Sequence, residues 1–253
     1  MLGDHQLAVL EFSGGADSTA LLYLARPWLD RITVMFVDPG ATYPHVLEHI
    51  FRTCASVGAR LEIIRPHVDV RQWHDEQGLP SDVAPGWNTA EMAWTQKDKP
   101  AALIQSTASC CRAMLWYPKM RALQASGATL VLRGSKASDE RVGVAPGFRD
   151  ENGVEYASPL WDWTDADVLA FLKAEGVDLP AHYAHVKDSL DCYLCTGHTG
   201  AHYARKKLAY TREHHPDLWA ELAPRLRIVR DAVTAEARRH IDILNEGADD
   251  GMG

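Results

Sequence analysis

Leu7-Ala8-Val9-Leu10-Glu11-Phe12-Ser13-Gly14-Gly15-Ala16-Asp17-Ser18 runs from a short apolar stretch into a glycine turn, and Thr19 to Ala25 continues with helical periodicity. An apolar run that short, stopped by glycine and followed by a 3.6-residue repeat, reads as a buried strand feeding a helix. Gly14 and Gly15 permit positive φ and close backbone approach. Successive N–H groups at a helix N-terminus then converge on an anion, aided by the helix dipole. Ser13 and Ser18 add hydroxyls, and Asp17 can orient the loop or hold Mg²⁺ through water. Neither the Gly-x-x-x-x-Gly-Lys-Ser/Thr phosphate loop nor the Gly-x-Gly-x-x-Gly dinucleotide turn is present. A strand-to-helix junction without a ligand is the plain alternative.

The same rhythm continues outward. Arg31 to Val37 is a β-branched strand stopped by Asp38-Pro39-Gly40, His45 to Val57 looks helical, Arg60 to Ile64 is a third strand, and Ala128 to Arg133 a fourth that ends at Gly134. Strand and helix in alternation predict an α/β fold: a doubly wound, mainly parallel sheet with helices on both faces. Trp73 to Ser109 is polar and weakly periodic, and reads as a loop or short-helix insertion. Thr164 reads as the N-cap of a helix over 166–174, and the chain is helical and charge-rich from His198. The expected organisation is a nucleotide-binding domain over 1–150, an α-rich C-terminal portion over 151–245 and a flexible acidic tail over 246–253.

The chain has 253 residues, 46% apolar and 24% charged, and a formal charge of −8 from 26 basic and 34 acidic side chains. That balance excludes global disorder and argues against a surface that coats nucleic acid throughout. No run reaches the ~18 apolar residues of a membrane span, and Met1-Leu2-Gly3-Asp4-His5 lacks the order of a secretory signal, so a cytoplasmic address is expected. A local basic bias at Arg205-Lys206-Lys207 and further arginines could track a nucleic-acid backbone or simply face water. His198 and His202 would share a helix face if the helix has begun there.

Four of the five cysteines fall in two pairs, Cys110-Cys111 and Cys192-x-x-Cys195. In a reducing compartment a disulfide framework is not expected. Adjacent cysteines diverge and suit a single tetrahedral zinc poorly, whereas the separate iron corners of a [4Fe-4S] cubane accept them. Burial as small hydrophobes, or a zinc half-site, is the alternative, and Cys54 reads as core.

The loop Ser13 to Ser18 resembles the Ser-Gly-Gly-x-Asp-Ser pyrophosphate loop of the PP-loop ATP pyrophosphatases, or adenine-nucleotide α-hydrolases, and within them the phosphoadenylyl-sulfate (PAPS) reductase family. Val37 to Val46, Gly134 to Arg141 and Ser158 to Val168 resemble that family's further segments, with Lys136 where Arg is usual. The resemblance implies ATP bound at Ser13, Gly14, Gly15, Ala16, Asp17, Ser18, Asp38, Gly40 and Gly134, with Asp17, Ser18, Lys136 and Arg141 in catalysis. The cysteine pattern resembles the family's iron–sulfur form, in adenylyl-sulfate reductases and DNA phosphorothioation proteins, and implies Cys110, Cys111, Cys192 and Cys195 as metal ligands. That family carries a Lys soon after the Cys-Cys pair; here Arg112 is adjacent and Lys119 lies further on.

Two activities follow from the resemblance. One is an ATP pyrophosphatase with Mg²⁺ and a [4Fe-4S] cluster that adenylylates an acceptor for sulfur incorporation, DNA backbone phosphorothioation among the candidates. Its expected partners are a cysteine desulfurase or other sulfur donor, DNA or a DNA-modification complex, and a second copy of the chain. The other is a sulfonucleotide reductase, whose attacking thiolate lies in a C-terminal segment in that family; no cysteine follows Cys195. A non-catalytic nucleotide-binding subunit is the third reading.

Overall fold

The computed structural model describes residues 2–83, 104–139, 147–188, 190 and 192–249. Contacts divide the chain into two interleaved units: residues 1–66 with 115–191, and residues 67–114 with 192–253. The boundary expected near Asp150 lies inside the first unit.

In the first unit, β1 (Ala8–Glu11), β2 (Ile32–Val37), β3 (Arg60–Ile64), β6 (Leu130–Leu132), β7 (Phe148–Arg149) and β8 (Glu155–Ala157) form one sheet in the order β3-β2-β1-β6-β8-β7. All pairings are parallel except β7 on β8. The fold is α/β, as the strand–helix rhythm predicts. The register sets Leu10 opposite Val34 and Leu132. Side chains alternate across a sheet. Val9, Met35 and Val131 cluster with Leu123 and Ala128, while Leu10, Val34, Leu130 and Leu132 are also buried. Both faces are therefore covered, which is why these strands read as continuous apolar runs.

Three helices frame the carboxyl ends of the strands. α1 (Ala16–Leu24) follows β1 after the glycine turn, and α2 (Pro44–Val57) follows β2 and ends at Gly58 in the left-handed region. α6 (Asp165–Ala174) begins with the predicted cap: the Thr164 hydroxyl accepts from the Asp167 N–H and the Asp167 carboxylate accepts from the Thr164 N–H. Such a capping box satisfies two otherwise orphaned donors. α5 (Tyr117–Ser126) carries Leu123 to the sheet.

The second unit holds more order than its sequence suggested. The stretch read as a loop or short-helix insertion, Trp73 to Ser109, overlaps two short helices, α3 (Val70–Gln77) and α4 (Thr107–Cys111), and also holds the parallel pair β4 (Leu79–Ser81) and β5 (Ile104–Ser106). Each strand is only three residues, too short for a period to register in sequence. α7 (Ala204–His214) and α8 (Pro216–Asp249) complete it. Since α7 begins at Ala204, His198 and His202 precede the helix and do not share a helical face. α8 runs on through the first four residues of the segment expected to be a loose tail. No helix among the described residues is long and apolar enough to cross a membrane.

Candidate functional site

In the first unit the strand ends and the glycine turn border an open cavity of about 350 Å³, lined among others by Glu11, Ser13, Asp17, Ser18, Lys119, Arg133, Gly134, Ser135 and Asp139. An open α/β sheet places ligands at this end. The turn is built for close approach. Gly14 has φ +76°, and a Cβ there would lie 2.8 Å from Ile50 Cγ1 on α2. At Gly134 a Cβ would meet the carbonyl carbon of Asp17 and the N of Ser18 at 3.0 Å each, so only glycine lets the chain after β6 lie against the start of α1.

Hydroxyls preset the loop. Ser13 and Ser18 hydroxyls lie 3.2 Å apart, the Gly15 N–H donates to Ser13 Oγ, and Ser18 Oγ–H donates to the Gly15 carbonyl. The Ala16 N–H, first of the helix, donates to the Tyr183 hydroxyl at 2.8 Å. Tyr183 sits in a short 3₁₀ turn whose His182 meets His45 of α2 at 3.1 Å. Burial pushes the phenol up to about 12, so Tyr183 is neutral at ordinary pH.

Lys136 is the cation paired with Asp17 of the glycine turn. It is 2% exposed, and its Nζ lies 2.7 Å from Asp17 Oδ2 and 3.4 Å from both Asp139 Oδ1 and Asp165 Oδ1. Burial works to lower its pKa, but the hydrogen bond and charge of Asp17, with Asp139 and Asp165, outweigh it, and the net shift is upward. Lys136 is therefore held protonated. Burial, reinforced by Asp139 and Asp165, raises Asp17 against the pull of Lys136. Three carboxylates around one ammonium leave surplus negative charge beside a phosphate-type loop. Mg²⁺ binds through one or two carboxylates plus phosphates and water, and Asp17 with Asp139 is a donor set of that kind. The Ser158 to Val168 segment explains itself here: it caps α6, brings Asp165 to Lys136, and its Trp161 carbonyl accepts from the Ala137 N–H.

Asp38 and Gly40 serve the turn after β2. The Asp38 carboxylate accepts from the Gly40 N–H and the Thr42 hydroxyl, each at 3.0 Å, and neither residue lines the cavity. Arg141 lies outside the described residues. Glu11, at the end of an apolar strand, escaped the sequence reading. Its two oxygens hold Lys119 at 3.0 Å and Arg133 at 3.1 Å, all three on the cavity wall. Lys119 is committed to Glu11. An acid closing an otherwise apolar strand was the available signal.

All four paired cysteines belong to the second unit. Burial pushes the Cys110 thiol far up, and the sulfurs of Cys192, Cys111 and Cys195 add to the shift. Among the described residues no group of three or more His, Cys, Asp or Glu side chains stands as a ligand set for one metal ion. The donor chemistry, four thiols of one unit in two pairs, is of the soft kind that iron or zinc prefers.

The two pairs are tied together by Asp82, which the sequence reading missed. Its carboxylate accepts from the Thr107 hydroxyl on α4 and from the His198 N–H, the Thr199 hydroxyl and the Gly200 N–H after Cys195. Burial works upward on Asp82, but these four bonds outweigh it and hold the pKa at about 2. A Cβ on Gly197 would lie 2.1 Å from Thr107 Oγ1, so the strand of chain after Cys195 passes α4 at glycine distance. Imidazoles approach the Cys-Cys pair: His74 Nε2 is 3.5 Å from Cys110 Sγ and His198 Nε2 is 3.9 Å from Cys111 Sγ. Lys207 Nζ donates to the Cys192 carbonyl. Cys54 is buried in the other unit, its thiol pushed up to about 11.

A mainly parallel sheet whose first strand ends in a hydroxyl-lined glycine turn places the chain in the class of α/β proteins with a phosphate-type loop. Within that class, residues 7–198 match the phosphoadenosine phosphosulfate reductase domain, and the chain belongs to that family. It is 25% identical to sulfate adenylyltransferase subunit 2 of Streptomyces lavendulae over 205 residues, 74% of this chain and 59% of that protein. The chain thus spans about three fifths of that relative's length. Over 94 residues, 37% of this chain and 38% of the relative, it is 34% identical to the adenosine 5'-phosphosulfate reductase of Burkholderia cepacia. Among solved structures, the phosphoadenylyl-sulfate reductase of Candida auris superposes with a TM-score of 0.49 at 16% identity, over 68% of this chain and 74% of that one.

Proposed function

We propose that the chain is an ATP pyrophosphatase that adenylylates an acceptor for sulfur incorporation, with a [4Fe-4S] cluster on Cys110, Cys111, Cys192 and Cys195. One observation carries the ATP half: Ser13, Asp17 and Ser18 of the intact loop line one cavity, and behind them the Asp17 carboxylate is 2.7 Å from a buried, protonated Lys136 that does not itself line it. An acceptor oxygen forms a bond to the α-phosphorus as the α–β bridging bond breaks, and pyrophosphate leaves with the electron pair. Ser13, Ser18 and the loop N–H groups hold the leaving diphosphate. Lys136 faces the charge that develops there. Mg²⁺, when bound, neutralises phosphate charge. A sulfur donor then displaces AMP. The adenylyltransferase among the relatives supports adenylyl transfer, and the acceptor class includes the DNA backbone.

The reductase reading draws on the reductase relatives but needs an attacking thiolate. Cys54, the cysteine outside the two pairs, is buried and its thiol is raised, which makes it a poor nucleophile. Incubation of anaerobically purified protein with ATP–Mg²⁺ should release pyrophosphate, and iron analysis should return about four irons per chain. Sulfite from a sulfonucleotide plus thioredoxin, with no pyrophosphate from ATP, would replace this reading with the reductase.

A further inference from the structure

His74 is buried on α3 and stands between two groups. Its Nδ1 lies 3.5 Å from Arg225 Nη1 on α8, and its Nε2 lies 3.5 Å from Cys110 Sγ on α4. A guanidinium only donates. Nδ1 must therefore accept, and the ring proton sits on Nε2, aimed at the sulfur. Arg225 is fixed in turn, 17% exposed and 3.9 Å from Glu221, which also pairs with Arg71.

We propose that His74, locked by Arg225 in its Nε2–H tautomer, donates a hydrogen bond to the Cys110 sulfur and so sets how readily the proposed iron–sulfur centre accepts an electron. The inference rests on the cluster reading above. An added electron raises negative charge on the ligand sulfurs, and a donor facing a buried sulfur stabilises that reduced form, which makes the reduction potential more positive. His74 touches a ligand rather than any reacting atom, so it is a positioning residue. His198 approaches Cys111 at longer range, and no contact described here fixes its tautomer.

The test uses the full chain in two forms. Long-range ¹⁵N–¹H spectra of histidine-labelled, iron-free protein report which ring nitrogen of His74 bears the proton. EPR-monitored redox titration of iron-reconstituted protein reports the potential. The expected results are an Nε2–H resonance lost on His74→Phe, and a His74→Phe cluster whose reduced-to-oxidised ratio, read at the wild-type midpoint, falls about tenfold, or 59 mV for one electron. His74→Gln, which keeps an N–H donor, should restore most of that shift. Arg225→Leu should mix the tautomers and give a smaller shift of the same sign. A proton on Nδ1 in the wild type overturns the proposal, as does an unchanged potential in a fully loaded His74→Phe. Should His74→Phe fail to take up iron, unchanged tautomer and potential in Arg225→Leu overturn it instead. Wild-type protein that binds no iron overturns the cluster reading and the tuning role with it, while the spectrum still reports the hydrogen bond alone, so the two failures are told apart.

Discussion

The glycine turn of the first unit and the cysteine neighbourhood of the second are both shaped by glycines that other groups crowd, yet they are held in different ways. Around Ser13 to Ser18 the backbone is set by consecutive residues at the end of a parallel strand, with Gly14 against Ile50 and Gly134 against the Asp17–Ser18 peptide. Around the cysteines, order comes from side chains that bridge remote segments: Asp82 binds α4 and the chain after Cys195, His74 on α3 reaches Cys110, and Arg225 on α8 reaches His74. A backbone-encoded site survives loss of most single side chains. A side-chain-encoded one does not.

The largest expected effect is Lys136→Met, which strips three carboxylates of their common cation. Pyrophosphate release should fall about 10²–10³-fold, as for loss of a preorganised charge-stabilising donor, with the iron content unchanged. Next, Gly14→Ala should cost about 2–4 kcal/mol through left-handed backbone and the Ile50 clash. Denaturant unfolding reads the cost, and ATP binding should vanish while iron is retained. Gly197→Ala sharpens the contrast from the other side, costing about 1–3 kcal/mol through the Thr107 contact and removing iron while ATP binding persists. Either glycine variant abolishing both properties together would break the comparison.

Asp82 gives a pH signature. Its folded pKa, about 2, lies below the ordinary carboxylate value, so its contribution to stability is present above about pH 4 and is lost as pH falls toward 2. Because the side chain is exposed, that contribution is discounted to about 1 kcal/mol. Asp82→Asn should flatten that part of the stability profile. The smallest effect is Thr164→Ala, about 1 kcal/mol from the lost cap of α6, with ATP binding and iron both intact.

The fold was legible because parallel strands buried on both faces must be apolar without alternation, and because Gly-Gly and Asp-Pro-Gly mark where they stop. The place of the glycine turn was legible for the same reason, since it directly follows the first strand. Lys136 stood out only through the resemblance, and its partners Asp17 and Asp165 come from distant parts of the chain. Glu11 was not legible, since its meaning depends on Lys119 and Arg133, more than a hundred residues away. Asp82, His74 and Arg225 share that difficulty. A three-residue strand such as β4 leaves too little pattern to announce itself, and a carboxylate that gathers donors from positions 107 and 198–200 has no local motif at all.

Tyr183 gives the glycine turn one more property. Its phenol already accepts the first amide proton of α1, so under the proposed ATP reading a phosphate oxygen would have to perform an exchange at that amide rather than fill a vacancy. The gain is the difference between a charged acceptor and a neutral one, a factor of roughly two in bond strength. A neutral acceptor would gain nothing by the swap, so at that amide the aromatic hydroxyl would favour anions over neutral groups.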